Sequence, residues 1–377
     1  MNTVIFSTNK APWGGSEDLW KKLCIDAKVL GFNVLASYID HPLKHNHILE
    51  LIDAGIAIQR RTPTSKHSNT SLTNLIKDTW VKKKNSNASG KVWREIYRFK
   101  PDQIIFNLGE AFEETFLWHY FTIEKLIQKK IKYKIIVHFN ASEFPNQSKK
   151  DRNKFIRLYS NADQVFFVSN ENAESTYRQL GLVSKKYSVV ESQVEGLLNK
   201  KSSEMTNNGL LNLAFVARLN HDIKGHDIAL DFISSYSGKK DVRINIYGTG
   251  ASQNHIKNLI EFYSLSDIAK IHGFESDKAT IWKNNDALFL TSKEEGLPLS
   301  LLEALHYKRT FICTPAGGIS DLDTNYGFII DLSHEQSFHK LLDNLKSDKG
   351  KLQEKALAGY NSLQIKKGKT YSETILI

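Results

Sequence analysis

The sequence predicts an α/β protein built from two doubly wound, Rossmann-like domains. Three observations predict it. The chain has 377 residues, too many for one small core. Short apolar runs alternate with helical stretches almost from end to end, the pattern of parallel sheets covered by helices on both faces. That alternation breaks once, at the polar and aperiodic stretch 199–209, where a linker divides the chain.

In order, the first series of strands is expected at 3–7, 33–38, 103–108, 134–139 and 164–169, with a helix at 16–31 after the first of them. The segment 60–91 is rich in Ser, Asn and Lys, with one amphipathic patch at 72–80, and is expected to be a loop with a short helix. A second series follows at 211–217, 242–248, 269–274, 286–292, 309–314 and 327–331. The expected domains are therefore 1–198 and 209–360, with 361–377 a terminal segment packing back on the first.

Composition bounds the partners. Forty-one percent hydrophobic and 24% charged residues describe an ordinary globular chain. No run of 18 apolar residues occurs and the first residues lack the pattern of a signal peptide, so a cytoplasmic location is expected. Two cysteines, Cys24 and Cys313, are too few for a disulfide framework or a zinc site. The net charge is +10, and residues 1–200 carry all of it, with 30 Lys+Arg against 20 Asp+Glu. Residues 51–100 alone hold 11 against 3. A basic half fits an anionic partner such as a membrane surface, although a Lys- and Asn-rich composition without a partner has the same appearance.

Five stretches are candidates for chemistry. In PWGGSEDLW, Gly14 and Gly15 open the first helix after the first strand; they let a ligand approach the backbone, and Ser16 is expected to cap the helix. Neither a full G-x-G-x-x-G nor a G-K-[ST] is present there, which excludes a dinucleotide fingerprint and a P-loop. The lone G-x-G of YGTGASQN reads as a tight strand-to-helix turn. In ARLNHDIKG, Arg218 and Lys224 follow the first strand of the second domain. Their spacing allows both to meet one anion, the guanidinium as a fork and the ammonium as a point charge, and two such cations suit a diphosphate.

SKEEGLPLSLLEAL, residues 292–305, follows the strand at 286–292 and opens a helix, with Pro298 at its first position. Glu295 and Glu303 flank that helix start, where strand ends and helix N-termini receive ligands in open α/β sheets. Ser300, Glu303 and Tyr307 also fall at helical spacing and equally describe a solvent-facing stripe above Leu299, Leu301, Leu302 and Leu305. The Asp321-Leu-Asp323 of TPAGGISDLD reads as a solvated turn rather than a metal site, as no further carboxylate or histidine cluster accompanies it.

These pieces, GGSE, ARLNHDIKG, YGTG, IHGF, SKEEGLPLSLLEAL and TPAGGISDL, resemble in this order the retaining glycosyltransferases of the GT-B fold, family 4 type, also called glycosyl transferases group 1. The resemblance covers most of the second half and patches of the first. It implies a GT-B architecture with the two domains facing a central cleft, and a hexosyltransferase that uses a nucleotide diphosphate sugar and no metal or other cofactor. By the same likeness Glu295 lies by the transferred sugar and Glu303 binds the ribose. Arg218 and Lys224 hold the diphosphate, and Leu299 and Ser300 at the helix start join the donor-binding set. Gly14 and Gly15 match a loop that closes on the donor, and His138 matches a histidine beside the sugar ring. Phe139 stands where the family has an aspartate, and Ser320 where proline is common. The acceptor implied is a glycan or lipid-linked glycan in bacterial surface polysaccharide synthesis; the charge concentrated in residues 60–100 adds the expectation that it is reached at the inner face of the cytoplasmic membrane, with no nucleic acid as partner. A sugar nucleotide epimerase of the same fold, or an inactive sugar nucleotide binding module, are the alternatives.

Overall fold

A computed structural model of the chain describes residues 1–10, 13–62, 90–140, 147–182, 187–190, 209–331, 333–365 and 370–377. The chain divides into two compact units, one formed by Met1–Val168, Ala173–Val190 and Thr370–Ile377, the other by Ser169–Asn172 and Glu191–Lys369. The amphipathic patch 72–80 with Trp80, the basic run Lys82, Lys83 and Lys84, and nearly all of the expected linker lie outside the described residues.

The first unit holds a parallel sheet of β1 (Asn2–Ser7), β2 (Asn33–Ile39), β3 (Ala57–Arg61), β4 (Gln103–Leu108), β5 (Lys132–Val137), β6 (Gln164–Phe167) and β7 (Tyr187–Val189). Its strand order is β3-β2-β1-β4-β5-β6-β7. The second unit repeats the plan with β8 (Leu211–Val216), β9 (Val242–Tyr247), β10 (Ala269–Gly273), β11 (Ala287–Leu290), β12 (Thr310–Cys313) and β13 (Gly327–Ile329), ordered β10-β9-β8-β11-β12-β13. Every pairing in both sheets is parallel. Parallel strands buried on both faces read as near-continuous apolar runs; QIIFNL and ALFL are buried throughout, with Gln103 and Asn107 the polar exceptions, each hydrogen-bonded to a side chain.

All eleven expected strands form, most of them one to three residues shorter than their apolar runs. Two more strands, β3 and β7, escaped the sequence reading. Both are edge strands. In β3 the inward positions are polar: Gln59 is buried, accepting from Ser37 Oγ at 2.8 Å and donating to Val92 O and Glu95 Oε2 at 3.0 and 2.8 Å. β7 has three residues and no alternation.

Each sheet reverses its winding once, between β1 and β4 and between β8 and β11. At such a switch point the connections leave in opposite directions and open a crevice at the carboxyl ends of the strands. The cores lie beneath, one around Phe6, Trp93, Phe106 and Phe155, the other around Phe215, Trp282, Phe289 and Phe338.

Candidate functional site

At the switch point of the second unit, the loops after β8 and β11 are locked to each other. Gly225, which ends the short helix His221–Lys224, has φ +67°. A Cβ there would lie 2.0 Å from Thr291 O. Thr291 Oγ1 donates to Gly225 O at 2.6 Å, and Lys293 N donates to Ile223 O at 2.9 Å. This close approach carries Lys224 onto Glu295, with Nζ 2.8 Å from Oε1. Ser292 Oγ donates to the same oxygen at 2.8 Å. Gly317, at φ +51°, approaches from the loop after β12, where a side chain would fall 1.8 Å from Glu295 O. Asn172 Nδ2 donates to that carbonyl at 3.2 Å. Only glycine fits there, because the contact and the left-handed backbone both exclude a Cβ.

Glu303 stands on the helix Leu299–His306. Pro298 precedes the helix as its N-cap rather than occupying the first turn, and its carbonyl accepts from Leu301 N at 3.1 Å. Residues 301–306 are all buried, Glu303 is 8% exposed and Tyr307 2%, so the solvent-stripe reading of these two residues does not hold. Lys278 Nζ lies 3.4 Å from Glu303 Oε2. Leu299 and Ser300 are half-buried at the helix start. Arg218 is exposed just past the end of β8, while Lys224 is engaged by Glu295, and among the described residues the two cations share no partner. Asp321 and Asp323 are exposed and serve backbone amides. Asp321 accepts from Asn170 N at 2.6 Å and Asp323 from Asn325 N at 2.8 Å. Among the described residues no group of three or more His, Cys, Asp or Glu is placed to hold a metal ion.

The first unit places Gly14 as an extended N-cap, φ −168°, and Gly15 as the first residue of the helix Gly15–Val29. Ser16 does not cap that helix, contrary to expectation. The helix starts one residue earlier, and Ser16 Oγ instead accepts from Asn9 Nδ2 at 3.0 Å and donates to Glu17 Oε2 at 2.9 Å. Below it lie Glu17 and Lys44, both buried, 3.9 Å apart, with Lys44 Nζ donating to Asn9 O at 3.1 Å. His138 follows β5, buried, with Nε2 2.7 Å from Asn107 Oδ1. That acceptor makes Nε2 the protonated nitrogen. Burial pulls the imidazole down to about 4, so it is neutral near pH 7.

Sequence reasoning missed several charged residues at these strand ends. Glu113 accepts from Gly109 N at 2.9 Å, from Thr115 Oγ1 at 3.2 Å and from Thr8 Oγ1. Burial nevertheless pushes its carboxyl up to about 7. Arg61, buried at the end of β3, donates to Ser7 O and is drawn down to about 9 by burial. Lys278 and Ser292 were missed as well. Their signal is faint, a polar side chain soon after an apolar run, and nothing local says which partner it meets.

Comparison with known proteins follows the division of the chain. Residues 199–361 match the family model described as glycosyl transferases group 1. No curated protein matches. Among solved structures, Anabaena Alr3699/HepE in complex with UDP and glucose is similar at TM-score 0.72 and 16% identity, over 95% of this chain and 94% of that one. The lipopolysaccharide outer core galactosyltransferase WaaB is similar at TM-score 0.69 and 16% identity, over 100% and 98%. S. aureus TarM in complex with fondaparinux, α-GlcNAc-glycerol and UDP is similar at TM-score 0.72 and 12% identity, over 100% and 98%. At these identities the likeness establishes the fold, and that fold is GT-B.

Proposed function

We propose that the protein is a retaining glycosyltransferase that moves a hexosyl group from a nucleotide diphosphate sugar to a glycan or lipid-linked acceptor, without a metal ion. One observation carries the reading: two buried carboxylates, Glu295 and Glu303, each beside a lysine, at the switch point of a sheet. The group 1 match over 199–361 and the UDP bound in the HepE and TarM structures support a donor of this class, with uridine as the first base to test.

Glu303 receives the ribose hydroxyls, and Glu295 faces the transferred sugar. The bond between the anomeric carbon and the diphosphate oxygen breaks with its electron pair going to the diphosphate. The acceptor hydroxyl then bonds to the anomeric carbon on the same face, and its proton passes to the departing diphosphate. The products are the glycoside and a nucleoside diphosphate. Arg218 and Lys224 act on the leaving group, where negative charge grows in the transition state. His138, uncharged at Nδ1 and protonated at Nε2, offers a neutral ring to the sugar. The same reading places the acceptor at an anionic membrane surface in the cytoplasm, in keeping with the basic first half; among the described residues no helix is long and apolar enough to cross a membrane.

The test is a thermal-shift panel of sugar nucleotides, followed by product analysis with and without acceptor in excess EDTA. A ligand at 100 times its Kd adds about 2.7 kcal/mol, so the true donor raises the melting temperature visibly. A flat panel sinks the reading, and loss of activity in EDTA that Mg²⁺ or Mn²⁺ restores sinks its metal-independent part. The membrane part is checked by partitioning onto anionic and neutral vesicles at low and high salt, with Lys82, Lys83 and Lys84 changed together to Glu. Equal partitioning onto both vesicle types removes it.

A further inference from the structure

Lys278 belongs to none of the motifs, yet the structure sets it against Glu303 with care. β10 ends at Gly273, and the turn that follows is tied down by two carboxylates. Glu275 Oε1 accepts from Asp277 N at 2.7 Å. Asp277 in turn caps the helix Lys278–Lys283, accepting from Ala279 N at 3.2 Å and from Thr280 Oγ1 at 2.7 Å. Ile281 and Trp282 root that helix in the core. The backbone that carries Lys278 is therefore fixed before any ligand arrives.

The electrostatics give this placement a purpose. A carboxylate as buried as that of Glu303 stays ionised and in place only if something offsets its lost hydration. Lys278 supplies the positive charge at 3.4 Å, while its own side chain remains 30% exposed and hydrated. The contact is looser than the 2.8 Å of Lys224 on Glu295. Of the two ion pairs this one is the longer, so a vicinal diol with two O–H donors competes with Lys278 for the carboxylate.

We infer that Lys278 is the positioning residue for the ribose-binding carboxylate, keeping Glu303 charged and oriented so that the site prefers a nucleotide with both ribose hydroxyls. The inference rests on the donor reading above. It makes a prediction that a merely structural lysine does not, namely that its effect depends on those hydroxyls.

The experiment measures Kd by calorimetry for UDP and GDP and for their 2′,3′-dideoxy forms, on the unchanged protein and on Lys278→Ala, Lys278→Arg and Glu303→Gln. For whichever base binds, the unchanged protein should prefer the full ribose by about tenfold or more, the worth of a charge-assisted hydrogen bond. Lys278→Ala should reduce that preference toward the value of Glu303→Gln, chiefly by weakening the full nucleotide, and Lys278→Arg should restore most of it. If Lys278→Ala weakens both forms by one factor, or neither, Lys278 serves the phosphates or nothing, and the inference is overturned. Absence of binding by the unchanged, folded protein overturns the donor reading itself, and this inference with it.

Discussion

Glu295 and Glu303 are eight positions apart in the chain and meet different lysines, Lys224 and Lys278. Their losses should differ in kind. With the donor held as proposed, Glu303→Ala removes the acceptor of two hydroxyls present in the free donor, so it should raise the donor Kd by roughly ten- to a hundredfold, the worth of one charge-assisted hydrogen bond. Glu295→Ala also releases Lys224, and its main effect should fall on turnover at saturating donor. Calorimetry and steady-state kinetics on the two variants check this. Unchanged donor affinity in a folded Glu303→Ala would return Glu303 to a packing role. The spacing of these acids was legible because loop and helix start are local. Their lysines were not, since Lys278 lies 25 positions before Glu303 and on another element.

Among the elements, the strands with an apolar run were legible, the edge strands β10 and β13 among them, whereas β3, with the polar Gln59 and Arg61 at its buried positions, and β7, only three residues long, lack such a run. The final helix, Tyr371–Leu376, is the clearest element whose place depends on distant residues. Thr370 and Glu373 form a reciprocal cap at its start. Tyr371, Ile375 and Leu376 are buried in the first unit, and Lys134 Nζ donates to Ile375 O at 2.6 Å. Full burial of an Ile or Leu side chain contributes about 1.5–3 kcal/mol. Deleting Thr370–Ile377 should therefore lower the urea midpoint of the first unit clearly. An unchanged midpoint would mean that the helix contributes nothing to its stability.

At the scale of the whole molecule, buried titratable groups set how stability follows pH. Burial lowers His119 to about 3, His138 to about 4 and His226 to about 3, from 6.5. Between about pH 4.5 and 6.5 the unfolded chain therefore binds protons on these histidines that the folded chain refuses. Glu113, raised from 4.5 to about 7, works the other way, as the folded chain then holds a proton that the unfolded chain releases. Three groups against one leave the unfolded state with more protons, so stability should rise with pH across this window and be lost as pH falls through it. Glu113→Gln removes the opposing contribution and should steepen the slope. Melting temperatures at half-unit steps from pH 4.5 to 7 check both, and a flat or falling profile contradicts the account.

Sequence alone determined the two α/β halves, the eleven strands other than β3 and β7, and the positions of Gly14, Gly15, Arg218, Lys224, Glu295 and Glu303 at strand ends and helix starts. All of these follow from periodicity, turn chemistry and spacing over a few residues. Only the tertiary structure decided which charges are buried and what they face: Lys224 on Glu295, Lys278 on Glu303, Glu17 over Lys44, and Glu113 among Thr8, Gly109 and Thr115. The reason is physical. Periodicity acts through neighbours along the chain, whereas desolvation and ion pairing depend on which strand ends meet at the switch point, and that is fixed by the order of strands in the sheet.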